Sequence, residues 1–122
     1  MTTDDALAVV RAYHRSWTTK QFEGAIRLLA QNLTIEVPIN DYPTTESFAN
    51  ALVRFGGMVK SVALLAEFGK DHEAMLLYDL DVDRLGLLRV AEHFTVSNGT
   101  ITRIRQIHDT AAVRAVGLGP RT

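Results

Sequence analysis

The sequence contains no cysteine, and its acid–base candidates are carboxylates, imidazoles and phenols. Asp79, Asp81 and Asp83 alternate with apolar residues, and on a strand that spacing puts all three on one face, about 6.7 Å apart. Simple alternation gives Leu76, Tyr78, Leu80 and Val82 to the core and leaves the acids in water, the usual fate of a charge series. A one-residue change in the turn at 83–86 would reverse every facing, so both stay open. Along 100–109, Ile101, Arg103, Arg105 and Ile107 share one face while Thr102, Ile104, Gln106 and His108 share the other. Hydrophobicity alone does not choose between those faces. Tyr13 and Trp17 lie one helical turn apart on an apolar stripe. A phenol in apolar surroundings can donate to a developing oxyanion, or it can bond a backbone carbonyl as an ordinary core tyrosine.

The four histidines show no H-x-x-x-H or H-E-x-x-H spacing, the pattern that sets two imidazoles on one helix face around a metal. Lack of cysteine also removes disulfides, Fe–S clusters and thiolate-bound zinc, so neither a metal nor a cofactor is expected. His14 falls off the apolar stripe and His72 sits in a turn, and both are expected in solvent. The run Gly117-Leu118-Gly119-Pro120 has no helix after it and cannot serve as a phosphate loop. Two Asn-x-Thr triplets, at Asn32 and Asn98, match glycosylation sites but need a secretory route.

These groups must be positioned by a helical first half and a stranded second half. Ala6, Val9, Val10, Tyr13 and Trp17 define one amphipathic helix, with Thr2, Thr3 and Asp4 as candidate caps. Phe22, Ala25, Ile26 and Leu29 define a second, ending near Gln31 and Asn32. Leu33 to Val37 reads as a short strand closed by Pro38. Thr44 or Thr45 then caps a third helix on Phe48, Leu52, Phe55 and Val59, ended by Gly56 and Gly57. The segments 61–69, 72–82, 87–97 and 100–109 alternate at period two, and Asn98-Gly99 is the strongest hairpin signal.

A chain of 122 residues predicts one domain over 1–122, with an ordered core at about 4–112 and a fraying tail at 113–122. The formal charge of −1, with no block of like charge, argues against nucleic acid. No apolar run approaches a membrane span, and Asp4 and Asp5 stand where a signal peptide would carry Lys or Arg. The expected location is cytoplasmic.

The order α-α-β-α-β-β-β-β, the run Phe22-Glu23-Gly24-Ala25 leading to Leu29-Ala30, the run Leu33-Thr34-Ile35-Glu36-Val37-Pro38 and the run from His93 to Ile101 resemble the nuclear transport factor 2-like superfamily. Within it the chain is most similar to the SnoaL-like branch, over about residues 4–112. The resemblance implies an α+β fold: a cone-shaped barrel with three N-terminal helices packed on a curved mixed β-sheet that ends in a four-strand antiparallel meander. Such a fold encloses a deep, mostly apolar pocket. It hosts cyclases, isomerases, hydrolases, dehydratases and noncatalytic modules, so it decides no chemistry by itself.

Matched to the last hairpin of ketosteroid isomerases, Gly99 and Ile101 turn Ile104, Gln106 and His108 toward the pocket. The same match turns Val90, Glu92 and Phe94 inward, and Arg89, Ala91 and His93 outward. Glu92 and His108 thereby become the candidate acid and base, with desolvation raising the pKa of the first and lowering that of the second. Tyr13 falls where those isomerases carry the tyrosine that donates to the oxyanion. Trp17, Val37, Phe55, Val90, Ile104 and Gln106 are the expected ligand contacts. Val37 and Val90 stand where the isomerases have their base and their neutral acid, so that shuttle is missing. Likeness to epoxide hydrolases of the fold would place Asp79 or Asp81 at the cavity mouth, making Asp79 a further catalytic candidate, although Gln106 replaces the second acid of that mechanism.

The implied function is acid–base chemistry (isomerisation, cyclisation, hydration or dehydration) on an apolar oxygenated molecule of polyketide, terpenoid or steroid type. The alternative is a noncatalytic ligand-binding or homodimerisation module. The expected partners are a small apolar molecule and a second copy of the chain, with His93 on the outer sheet face where such proteins often dimerise.

Overall fold

The computed structural model describes residues 5–115. Its elements run α1 (Ala6–Thr18), α2 (Phe22–Ile26), β1 (Leu29–Glu36), α3 (Thr45–Gly57), β2 (Val59–Lys70), β3 (Glu73–Val82), β4 (Gly86–Ser97), β5 (Thr100–His108) and α4 (Ala111–Ala115). This is an α+β fold with a single five-stranded mixed sheet in the order β1-β5-β4-β3-β2. The four C-terminal strands form the antiparallel meander, and β1 joins it parallel to β5. The expected barrel is corrected here: β1 and β2 stand at opposite ends of the strand order and do not pair, so the sheet stays open. No described helix is long and apolar enough to cross a membrane.

Local chemistry accounts for most boundaries. Asp5 caps α1 by accepting from the Ala8 backbone N–H at 3.2 Å; the expected caps Thr2, Thr3 and Asp4 lie outside the described residues. Thr44 caps α3 in a reciprocal box with Ser47. Thr45 instead pins α3 to β1, since its hydroxyl donates to the Ala30 carbonyl at 2.7 Å and accepts from Leu33 N–H at 3.1 Å. Asn98 and Gly99 take φ values of 53° and 77°, as the hairpin between β4 and β5 requires.

Three expectations gave way to tertiary pairing. Leu29 belongs to β1 rather than to the second helix, because it sits opposite Ile101 and the Leu28 carbonyl accepts from Ile101 N–H at 2.7 Å. Val59 likewise leaves the third helix to pair with Val82. Residues 111–115, assigned partly to the fraying tail, form α4, whose first turn is tied by Ala111 N–H to Asp109 Oδ1 at 3.0 Å and whose Val113 is buried. The rest of that tail, 116–122, lies outside the described residues.

The core forms where α1 lies on the sheet, touching β2, β3, β4 and β5. Val10, Tyr13 and Trp17 bury there against Leu76, Tyr78, Phe94, Ile101 and Ile104, and the Tyr13 ring meets Phe94 edge-on at 5.9 Å. Strict alternation on β5 would place Ile101 with Arg103, yet Ile101 is fully buried. A register shift between Thr95 and Val96 on β4 inserts one residue into β5, so that Ile101 and Ile104 both turn inward.

Candidate functional site

β3, β4 and β5 offer alternate residues to one face, and α1, α3 and the loop at 37–42 stand over part of it, leaving a cavity of about 650 Å³. That is within the usual range for small-molecule sites. Most of the wall is apolar or aromatic: Trp17, Val37, Ile39, Phe48, Phe55, Leu80 and Val90 contribute, with Val113 from α4. Tyr13, Tyr78, Glu92, Gln106 and His108 are the polar groups from α1 and the sheet; Asp41 and Arg54 add exposed charges.

The cross-strand registers explain why those groups meet. Glu92 stands opposite Gln106 on β5 and Leu76 on β3, while Val90 stands opposite His108 and Tyr78. Tyr78 is therefore the diagonal neighbour of Glu92, within reach for a long side chain. Its hydroxyl donates to Glu92 Oε1 at 2.6 Å, and Gln106 Nε2 donates to Glu92 Oε2 at 2.6 Å. Glu92 is 1% exposed. Burial pushes its pKa up, opposed by the two donated bonds, which favour the ionised form. Burial and then the nearby Glu92 charge hold both Tyr13 and Tyr78 well above an ordinary phenol. Among the described residues the Tyr13 hydroxyl has no hydrogen-bond partner, so its donor is free for whatever enters the cavity.

Of the sequence candidates, Tyr13, Trp17, Val37, Phe55, Val90, Glu92, Gln106 and His108 all line this cavity. Glu92 and His108 do not bond one another: His108 Nδ1 lies 3.0 Å from the Asp109 carbonyl, and Glu92 is engaged by Tyr78 and Gln106. Two candidates are corrected. Asp79 points to the outer face, where Arg89 clasps it through Nε at 2.7 Å and Nη2 at 2.9 Å, because the hairpin register gives the inner face to Tyr78 and Leu80. The Arg89 bond is the main reason the Asp79 pKa falls below the ordinary range. Ile104 faces inward but is fully buried opposite Phe94, in the packed core rather than the cavity wall.

Tyr78, which alternation gives to the core, is buried there and also borders the cavity with its hydroxyl on Glu92. The hairpin register between β3 and β4 would have revealed it, since that register sets Tyr78 beside Glu92. His14 is also corrected. It is buried, not solvated, because α1 packs against four strands at once and so buries an arc wider than its apolar stripe. Its ring meets Tyr78 at 4.7 Å and Trp17 at 5.5 Å, and neither ring nitrogen has a hydrogen-bond partner among the described residues. Burial lowers its pKa from 6.5 to about 4, against a smaller opposing pull from Glu67. Glu67 is held by Arg11, whose Nε donates to it at 2.9 Å. His93 lies on the outer face, bonded to Glu73 at 2.7 Å and accepting from Arg105 at 3.3 Å.

Comparison with solved structures agrees with this architecture. A protein from Kribbella flavida DSM 17836 is 31% identical, over 91% of this chain and 92% of its own, with a TM-score of 0.86. An NTF2-like protein of unknown function from Cytophaga hutchinsonii ATCC 33406 is 19% identical over 93% and 96%, with a TM-score of 0.78. A LEH-like epoxide hydrolase from M. tuberculosis is 20% identical over 91% and 87%, with a TM-score of 0.74; the last two likenesses speak for the fold alone. No family model matches the chain, and no curated protein matches it. The chain has the fold of NTF2-like proteins.

Proposed function

We propose that this chain binds a small, apolar, oxygenated molecule in the cavity and moves a proton on it, as isomerisation, cyclisation, hydration and dehydration all require. The observation that carries the reading is one carboxyl, Glu92, buried in a largely apolar cavity with a raised pKa and a donor on each oxygen. A carboxyl in that state can hold or release a proton nearer neutrality than an exposed one. Glu92 is the proton-carrying group in this scheme, and Tyr13 donates to the ligand oxygen as negative charge develops there. His108, on the same cavity wall, is the second acid–base group, and Trp17, Val37, Phe55, Val90 and Gln106 contact the ligand. The remaining features belong to the same proposal: one domain, a sheet curled like a cone around α1, and a homodimer through the outer face.

The full engagement of Glu92 and the missing Glu92–His108 contact favour a second reading, a ligand-binding module whose buried polar cluster serves only structure. Incubation with cyclic ketones in D2O, followed by NMR, separates the two. Exchange at the carbon beside the carbonyl faster than buffer, and lost in Glu92→Gln, is the expected result. Ketone binding by titration calorimetry with no accelerated exchange would give the field to the binding module, and exchange that persists in Glu92→Gln would remove Glu92 from the mechanism.

A further inference from the structure

The two bonds at Glu92 suit an ionised carboxylate, which accepts and cannot donate. A neutral carboxyl carries a proton that itself needs an acceptor. On Oε1 that proton would face the Tyr78 oxygen and displace the hydroxyl's own hydrogen, for which no other acceptor is found among the described residues. On Oε2 it would face a primary amide, and an amide has an acceptor at its other end. Half a turn about the terminal bond of Gln106 replaces Nε2 by Oε1 and satisfies the proton, while Tyr78 keeps donating to Oε1. Leaving either state unpaired would strand a buried donor or acceptor without the water it gave up.

We propose that Gln106 is a positioning residue for Glu92: its amide inverts as the carboxyl gains or loses a proton, so the proton is carried on Oε2, the oxygen facing β5. The use of this device in chemistry rests on the acid–base reading of Glu92. In that chemistry the Oε2–H bond breaks, its electron pair stays on Oε2, the proton passes to the ligand, and Gln106 Nε2 returns to donate to the carboxylate. A glutamine fits the position because, unlike lysine or an ionised acid, it can present either a donor or an acceptor to the same atom.

Several other groups border the cavity around this pair. Tyr13 from α1 and Tyr78 from β3 stay neutral, since burial holds both phenols high. His108 from β5, Arg54 from α3, and Asp41 and Tyr42 from the preceding loop complete the titratable and charged lining. A His108→Gln background removes the imidazole's titration from the record.

The test is an NMR titration of the full chain labelled with ¹³C and ¹⁵N, following the Glu92 carboxyl carbon, assigned with Glu92→Gln, and the Gln106 side-chain amide. The amide signals are expected to change with the same midpoint as the Glu92 carboxyl. Replacement Gln106→Met, which can neither donate nor accept, removes a bond from both forms, the stronger one from the carboxylate, so the Glu92 midpoint should rise by less than about one pH unit. A Gln106 amide that stays flat through the Glu92 transition would overturn the proposal, as would a midpoint raised by about two pH units or more in the methionine variant, the mark of an amide that serves the carboxylate alone. If that variant does not fold, the amide of the unsubstituted chain decides alone. No substrate enters this titration, so loss of ketone exchange with the coupling intact counts against the proposed function and not against the role of Gln106.

Discussion

Tyr78 separates two buried polar groups that are treated in opposite ways. On one side its hydroxyl serves Glu92, and Gln106 serves the other oxygen, so the acid has a donor on each of its oxygens. On the other side its ring lies against His14, which has no partner at either nitrogen among the described residues. The acid sits at a cavity where a ligand could meet it; the imidazole sits behind that wall, with Leu76, Val62 and Leu64 around a smaller hollow that Arg11 and Glu67 also border. Burial alone therefore does not make a working titratable group. Partners matter as well, and Glu92 has a donor on each oxygen where His14 has none at either nitrogen among the described residues.

The largest expected effect breaks the His14 side. The imidazole is favoured neutral in the fold, so stability is intact above the ordinary value of 6.5 and falls as pH drops toward about 4. The gap corresponds to roughly 3 kcal/mol, complete below the lower value. Urea unfolding across that window should show the loss, and His14→Leu should abolish most of it. At neutral pH the same leucine should stabilise the chain by about 1–2 kcal/mol, because two unpaired buried nitrogens are replaced by apolar surface; a destabilised variant would mean that His14 has a partner after all.

Tyr78→Phe attacks the shared wall. Losing the donor to Oε1 should cost about 1–2 kcal/mol at neutral pH and drive the Glu92 pKa higher still. Glu92 should also give the opposite pH trend to His14. Its folded pKa is raised, so its contribution is greatest below the ordinary carboxylate range and declines as pH climbs through the raised value. Glu92→Gln should flatten that decline in thermal unfolding. The smallest effect belongs to Asp79→Asn, which loosens an exposed pair with Arg89 and should leave both ligand uptake and the unfolding midpoint near those of the parent.

The sequence carried the element order, the inward facing of Glu92, Gln106 and His108, and the hairpin at Asn98-Gly99, because each rests on local periodicity or on the resemblance of the final hairpin. What it hid depends on pairing across the chain. Leu29 satisfies helical spacing as well as strand spacing, and only Ile101, far along the chain, decides between them. Ile101 itself is misplaced by alternation, since the extra residue on β5 has no signature in composition. Asp79 and Tyr78 exchange roles on a single step of register, which alternation can state but not choose. The burial of His14 depends on how many strands reach α1, a property of the assembled sheet.

The parallel seat of β1 beside β5 has a temporal side. Every other strand finds a neighbour in the segment made just before or after it, whereas residues 29–36 must wait for residues 100–108 to be synthesised. During translation the first strand is consequently a guest without a host, and the sheet gains that edge only after residues 100–108 have left the ribosome.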